Sequence, residues 1–415
     1  MGDTMAEKIL GRAVGRGVRA GENITVSVDV AMLNISMASV SRILKRAGVT
    51  RLWDPGRVVC IQDHNVPAPN EREAEVQRTI REAVQAYGIE AYYGENGGIC
   101  HQVMVDQGHV RPGEVIVGSD SHTCTYGALG AAATGIGVTE MAYVLTTGKL
   151  WFRVPETLRF DLRGRLAERV TAKDILLWIA GRHGVDVAQY KAIEFSGEVA
   201  EALSIDSRLA MANMAVELGG KFGFFATDGA TRAFLRGRIR GEPEDVRPDP
   251  DAGYETRIRV DVASLEPQVA LPHAFDNVRS VSEVEGTVVH QAYIGSCTNG
   301  RLEDLRAAAE ILRGKRVDRF TRLYVLPASW AVYRAAMEEG LVRTLLDAGA
   351  VFPGCDCGPC IGQMAVLAAG ENCIASSSRN ARGRMGSTDS GVFLASPATV
   401  AASAIYGKIT DPRKV

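Results

Sequence analysis

Glu114-Val-Ile-Val-Gly118 runs directly into Ser119-Asp-Ser-His-Thr-Cys124. The first stretch is a short β-branched apolar run of the kind that forms a buried strand, too short for a helix. The second is a polar cluster at the point where such a strand would end. The pattern recurs upstream, where Arg57-Val-Val-Cys-Ile-Gln62 leads into Asp63-His64-Asn65. Between the two lies Asn70 to Tyr87, charged but with apolar positions at helical spacing, as in a helix that covers a sheet. Asn23-Ile-Thr-Val-Ser-Val-Asp-Val30 alternates polar and apolar residues and is predicted as one strand. Thr171-Ala-Lys-Asp174 has the form of a capping box opening the apolar helix Ile175-Leu-Leu-Trp-Ile179. Strand and helix patterns alternate throughout, which predicts an α/β architecture.

Residues 240–257 are dense in proline and charge and read as a surface connection. A new strand-like segment begins near Val288 and leads into the turn that carries Cys297. These boundaries predict three domains: 1–155, 156–278 and 279–415.

Composition narrows the function classes. The 415 residues are 46% hydrophobic and 23% charged with a net charge of −2, so no charge excess points to nucleic acid or an anionic membrane. No apolar run approaches the roughly 18 residues of a membrane span, and Met1-Gly-Asp-Thr-Met-Ala-Glu-Lys has no apolar signal core. Closely spaced thiols without an export signal predict the cytoplasm.

Polar clusters at strand ends are where open α/β sheets bind ligands. Besides Asp63-His64 and Asp120-Ser121-His122, they include Glu95-Asn-Gly-Gly-Ile-Cys-His101. Asn213 and Glu217 follow at i and i+4 on a predicted helix, so both can point one way. Carboxylates fix an imidazole's tautomer and raise its basicity, which suits general acid work on a hydroxyl leaving group. Each residue alone also fits a structural role, and adjacency of Asp63 and His64 does not prove contact. Arg379, Arg382 and Arg384 stand in the Ser/Gly-rich loop Ala375-Ser-Ser-Ser-Arg-Asn-Ala-Arg-Gly-Arg384, where they can clamp carboxylates or form a basic surface turn.

Phe352-Pro-Gly-Cys-Asp-Cys-Gly-Pro-Cys-Ile-Gly-Gln363 sets three cysteines close together, and Gly295-Ser-Cys-Thr-Asn-Gly300 adds Cys297. Such spacing points to a metal centre rather than disulfides. A four-thiolate zinc site, an electron-carrying 4Fe–4S cluster, and a cluster held by three thiolates with one open iron all fit. Spacing leaves the choice open.

Taken together, Gly118-Ser-Asp-Ser-His-Thr123, Gly295-Ser-Cys-Thr-Asn-Gly300, Cys357-Gly-Pro-Cys-Ile-Gly362 and Ser378-Arg-Asn-Ala-Arg-Gly-Arg384 resemble the aconitase superfamily, in order, from about residue 7 to about 410. The nearest likeness is to the large subunits of its two-subunit branch, 3-isopropylmalate dehydratase and homoaconitase. The resemblance implies three α/β domains around a 4Fe–4S cluster with one open iron, held by Cys297, Cys357 and Cys360, with Cys355 outside the ligand set. It also implies Asp63-His64, His101 with Asp120, and His122 with Glu217 as catalytic pairs. Ser121 and Asn213 would be polar substrate contacts, and Arg379 and Arg384 would bind carboxylate. The implied reaction is dehydration and rehydration of a hydroxy di- or tricarboxylic acid, with 2-isopropylmalate and leucine biosynthesis as the leading expectation. In the family, the base is a serine on a swivelling domain. This chain stops at Val415, which leads us to expect a small subunit carrying that domain. The resemblance departs at Asn34-Ile35, where the branch usually carries His followed by an acidic residue; neutral drift or a changed substrate would account for it. From other classes, a zinc-stabilised structural subunit and an RNA-binding regulator remain alternatives, the latter opposed by the balanced charge.

Overall fold

The computed structural model describes residues 2–415. They form two compact units. One takes the chain up to Arg163 and then Ala188–Val260; the other takes Gly164–Val187 and Asp261–Val415.

The first unit is built on a five-stranded sheet in the order Ala91–Tyr93, Val58–Ile61, Val30–Leu33, Val115–Gly118, Ala132–Gly135. All neighbours are parallel. Val58–Ile61 and Val115–Gly118 are buried at every position, as expected for parallel strands covered on both faces. The covering helix read from the sequence is Glu71–Tyr87. The Asn70 side chain accepts the Glu73 N–H at 3.0 Å to start it, and Gly88 at φ 67° ends it. Its Ile80, Ala83, Val84 and Tyr87 join the core.

The single strand predicted over Asn23–Val30 is two. Asn23–Ser27 pairs antiparallel with Lys149–Arg153, while Val30–Leu33 belongs to the parallel sheet. The break falls at Asp29. Its carboxylate accepts the Val115 N–H at 2.8 Å, and its own N–H donates to the Val115 carbonyl at 2.9 Å. A tertiary contact therefore overrides the local alternation.

A second sheet of this unit includes the parallel strands Phe222–Phe225, Ala192–Ser196 and Thr157–Arg163. After Gly118 the chain enters a 3-10 helix, Ser121–Leu129, long for a form that rarely exceeds three or four residues. It lies so close to the Phe222–Phe225 strand that a Cβ on Gly127 would sit 2.0 Å from the Gly223 carbonyl oxygen. Gly127→Ala should therefore cost at least about 1–3 kcal/mol, read as a lowered Tm. An unchanged Tm would contradict this packing.

The second unit carries a seven-stranded sheet. Its order is Val278–Ser280, Gln268–Ala270, Gly391–Leu394, Asn372–Ala375, Gln291–Ile294, Arg322–Val325, Ala350–Val351. The first three strands are joined antiparallel and the rest parallel. Helix Leu302–Leu312 contributes Leu305, Ala308, Ile311 and Leu312 to this unit's core, and helix Pro397–Tyr406 contributes Val400, Ala401 and Ala404. Helix Ala172–His183 belongs here despite its position in the chain. Its predicted capping residue Asp174 accepts the Thr171 N–H and hydroxyl, both at 2.8 Å, and also the Gln268 N–H at 2.8 Å. Among the described residues, no helix is long and apolar enough to cross a membrane.

Candidate functional site

In the first unit, strand ends and the segments after them bring three histidines to carboxylates. His64 Nδ1 lies 2.6 Å from Asp63 Oδ1, and Asp63 Oδ2 accepts the Cys100 N–H at 2.9 Å. Asp63 thus joins the end of one strand to the start of helix Cys100–Asp106, which carries His101. Burial pushes the Asp63 carboxyl up, but the His64 imidazole and the bonds from His64 and Cys100 outweigh it and hold it below the usual range.

Asp120 is the hub. Its Oδ1 is 2.9 Å from His101 Nε2, accepts the His122 N–H at 2.9 Å, and lies 3.5 Å from His122 Nδ1. His101 Nδ1 reaches the Tyr126 hydroxyl at 3.1 Å. His122 Nε2 lies 2.9 Å from Glu217 Oε1. The rings of His101 and His122 meet edge to face at 6.3 Å. Burial alone would raise the Asp120 carboxyl; hydrogen bonds and charge from both histidines hold it well below its ordinary value. Asp120 is accordingly an anion at neutral pH, shared by two imidazoles.

Asn213 and Glu217 do not share one α-helical face, contrary to the i, i+4 reading. Helix Ile205–Asn213 ends at Asn213 and a 3-10 turn, Met214–Leu218, follows. Glu217 still reaches His122, whereas Asn213 is fully buried and donates to Thr125 Oγ1 at 2.8 Å. Its backbone carbonyl accepts the Cys124 thiol at 3.2 Å, so Asn213 holds the 3-10 helix that carries His122. Ser121 is exposed and lines an open groove of about 410 Å³ with Gln189, Tyr190, Gly219, Gly220 and Lys221.

Asn34 is buried and points into this group, with its side-chain N–H donating to Asp120 Oδ2 at 3.4 Å. Ile35 packs against the apolar core instead. At this position a neutral donor faces the hub carboxylate.

In the second unit, Cys297, Cys357 and Cys360 are buried. All three act electrostatically on the Tyr293 hydroxyl, which burial first and these sulfurs next push well above its usual pKa. Cys297 lies on the short turn Ser296–Asn299 after strand Gln291–Ile294. A Cβ on Gly295 would stand 2.8 Å from the Leu326 carbonyl oxygen, so only glycine lets the strand end there. Arg301 is buried and donates to the Cys297 and Thr298 carbonyls at 2.7 and 2.6 Å, fixing the turn. The other two thiols flank Gly358 and Pro359, with Asp356 accepting the Gly358 N–H and Gly362 at φ 69° closing the loop. Cys355 has different neighbours: burial raises its thiol to about 12, with Arg334 and Asp356 acting on it, and it in turn acts on Tyr333.

Three buried thiols with the donor chemistry of a soft metal lie in a unit that also holds unsatisfied polar atoms. The Tyr293, Ser377 and Ser378 hydroxyls and Arg384 Nε have no hydrogen-bond partner among the described residues. Buried polar atoms seldom stay unpaired, so these residues fit a resident polar or ionic group. Among the loop arginines, Arg382 is exposed while Arg379 and Arg384 are half-buried. Tyr126, Arg301, Tyr293 and Lys173 escaped the sequence reading. Arg301 directly follows a quoted motif, which was a usable signal; the others carry none.

An α/β fold with histidine–carboxylate pairs at strand ends, in a chain that also buries three cysteines around Tyr293, is that of a hydro-lyase enzyme. The chain belongs to the aconitase family: the family model "Aconitase family (aconitate hydratase)" matches residues 20–287 and 279–407. It is 52% identical to "3-isopropylmalate dehydratase large subunit 1" of Methanopyrus kandleri, covering 100% of this chain and 99% of that one. It is 47% identical to the protein of the same name from Archaeoglobus fulgidus, covering 100% of each. It is also 47% identical to "Probable methanogen homoaconitase large subunit" of Methanothermobacter thermautotrophicus, covering 99% and 97%. Among solved structures, aconitase X of Thermococcus kodakaraensis in its holo form aligns over 93% of this chain and 92% of that one. The TM-score is 0.54 at 15% identity, which speaks to the fold alone.

Proposed function

We propose that the chain is the cluster-binding large subunit of a hydro-lyase that isomerises 2-isopropylmalate to 3-isopropylmalate by dehydration and rehydration. The observation that carries the reading is the shared Asp120 carboxylate, which orients His101 and His122 at once, in a chain whose end-to-end relatives bear that enzyme's name. Cys297, Cys357 and Cys360 hold a 4Fe–4S cluster, which supplies a Lewis acid to the substrate hydroxyl and carboxylate. Cys355 is not a ligand.

The chain's own groups do the rest. One of the three histidine–carboxylate pairs hands a proton to the leaving hydroxyl, and His101, engaged at both ring nitrogens by Asp120 and Tyr126, is held in one orientation. His122 is held by Glu217, and His64 by Asp63. Ser121 and Asn213 border the substrate, and the Arg379 and Arg384 guanidinium groups take its carboxylates. A small subunit carrying the swivelling domain supplies the serine base that removes the carbon-bound proton, so the isolated chain is inactive or nearly so. The cytoplasm is its compartment. The division into domains 1–155, 156–278 and 279–415 stays a proposal, supported by the first sheet lying within residues 30–135 and the second starting at Thr157.

Homoaconitase is the second reading, favoured by the homoaconitase relative, while Asn34 beside Asp120 is where a changed substrate preference would act. A hydroxy-acid panel assayed on the complex with its small subunit separates the two. We expect 2-isopropylmalate to be preferred; a preference for homocitrate would overturn the first reading. In the same panel, Asn34→His with Ile35→Asp should shift the ranking of acids, and an unchanged ranking would sink a specificity role for the pair.

A further inference from the structure

Lys173 is 1% exposed, and its ammonium donates to two backbone carbonyls, Ser376 at 3.0 Å and Ser377 at 2.6 Å. A buried cation is expensive unless nearby charges balance it, and carbonyl dipoles cancel only part of its charge. The charged groups facing it are Asp174 and Asp304 and the thiols of Cys297 and Cys360. Asp174 is already engaged by Thr171 and Gln268, and Asp304 by Asn299 and Arg301. Asp304 acts on it most strongly, then Cys360, Asp174 and Cys297, so the two thiols share the balancing of its charge with two carboxylates.

The same lysine is tied mechanically to the cysteine turn. Ser376, whose carbonyl it holds, accepts the Gly295 N–H at 3.0 Å through its hydroxyl, which in turn donates to the Asn299 carbonyl at 3.2 Å. Those residues bracket Cys297. Lys173 enters from a helix some two hundred positions upstream in the sequence.

We infer that Lys173 is a positioning residue for the metal centre: a fixed buried cation that balances the anionic thiolate-bound group and clamps the Ser376–Ser377 turn behind Cys297. This rests on the cluster reading above. A cation at that place favours the more negative, reduced state of the group, so removing the charge lowers its reduction potential. A residue that merely fills space would leave the potential where it was.

The test is a spectroscopically monitored redox titration of the reconstituted chain as wild type, Lys173→Gln, Lys173→Met and Lys173→Arg. Gln keeps a donor for the two carbonyls without the charge, and Arg keeps the charge. The inference expects the potential of Lys173→Gln to fall by at least a tenfold change in the oxidised-to-reduced ratio, about 59 mV for one electron. Lys173→Arg should stay near wild type. Lys173→Met should shift as Gln does; if it does not fold, Gln decides. A Gln variant with full iron content and an unmoved potential would overturn the inference alone. A wild-type chain that takes up no cluster would overturn the cluster reading and this inference with it.

Discussion

Cys357→Ser and Cys360→Ser should each abolish stable cluster binding and all turnover, while Cys355→Ser should keep both. The three thiols stand within six residues, and spacing alone treats them as equals. Their surroundings do not. Cys357 and Cys360 act on the buried Tyr293 hydroxyl together with Cys297, whereas Cys355 sits by Tyr333 and Arg334. A serine at either ligand position replaces a soft thiolate with a hydroxyl of high pKa, a poor match for iron. Iron and sulfide content after anaerobic reconstitution reads the result. Loss of the cluster in Cys355→Ser, or its survival in Cys360→Ser, would reassign the ligand set.

Asp120→Asn should lower kcat about 10²–10⁴-fold without loss of the cluster. Asp120 Oδ1 receives His101 Nε2 and the His122 N–H, and Oδ2 receives the Asn34 side-chain N–H. An asparagine accepts through only one oxygen. Whichever way its amide is turned, an NH₂ group faces a donor, and the His101 tautomer is no longer fixed. Loss of the anion also weakens support for a protonated imidazole. The sign with pH follows from the depressed Asp120 carboxyl: its ionised form supports the fold above the unfolded carboxylate pKa, and that support fades as pH falls through the lower folded value. Activity and iron content measured on one preparation separate a catalytic loss from a folding one. Near-normal kcat in Asp120→Asn would remove Asp120 from the hub.

Much of this was legible in the sequence for local reasons. The β-branched run Val115–Val117 and the amphipathic stretch Glu71–Tyr87 carry their own signals, and the polar clusters fell at the strand ends where parallel sheets leave room. The pairings His101–Asp120 and His122–Glu217 entered only through the resemblance, because residues 19 and 95 positions apart meet by tertiary folding. The same limit explains the misreadings. Asp29 ended a strand by bonding to Val115, a partner 86 residues away. Asn213 and Glu217 kept helical spacing in a segment that tightens to a 3-10 turn. Lys173 had no signal at all, since its partners lie 203 and 204 positions downstream.

The central claim is that three thiolates leave one iron open to substrate. Mössbauer spectra of the iron-57-reconstituted chain with its small subunit, recorded before and after adding 2-isopropylmalate, test it most directly. A single iron site should change its signal on substrate addition while the others stay as they were. Spectra in which every iron is unaffected by substrate would contradict the account.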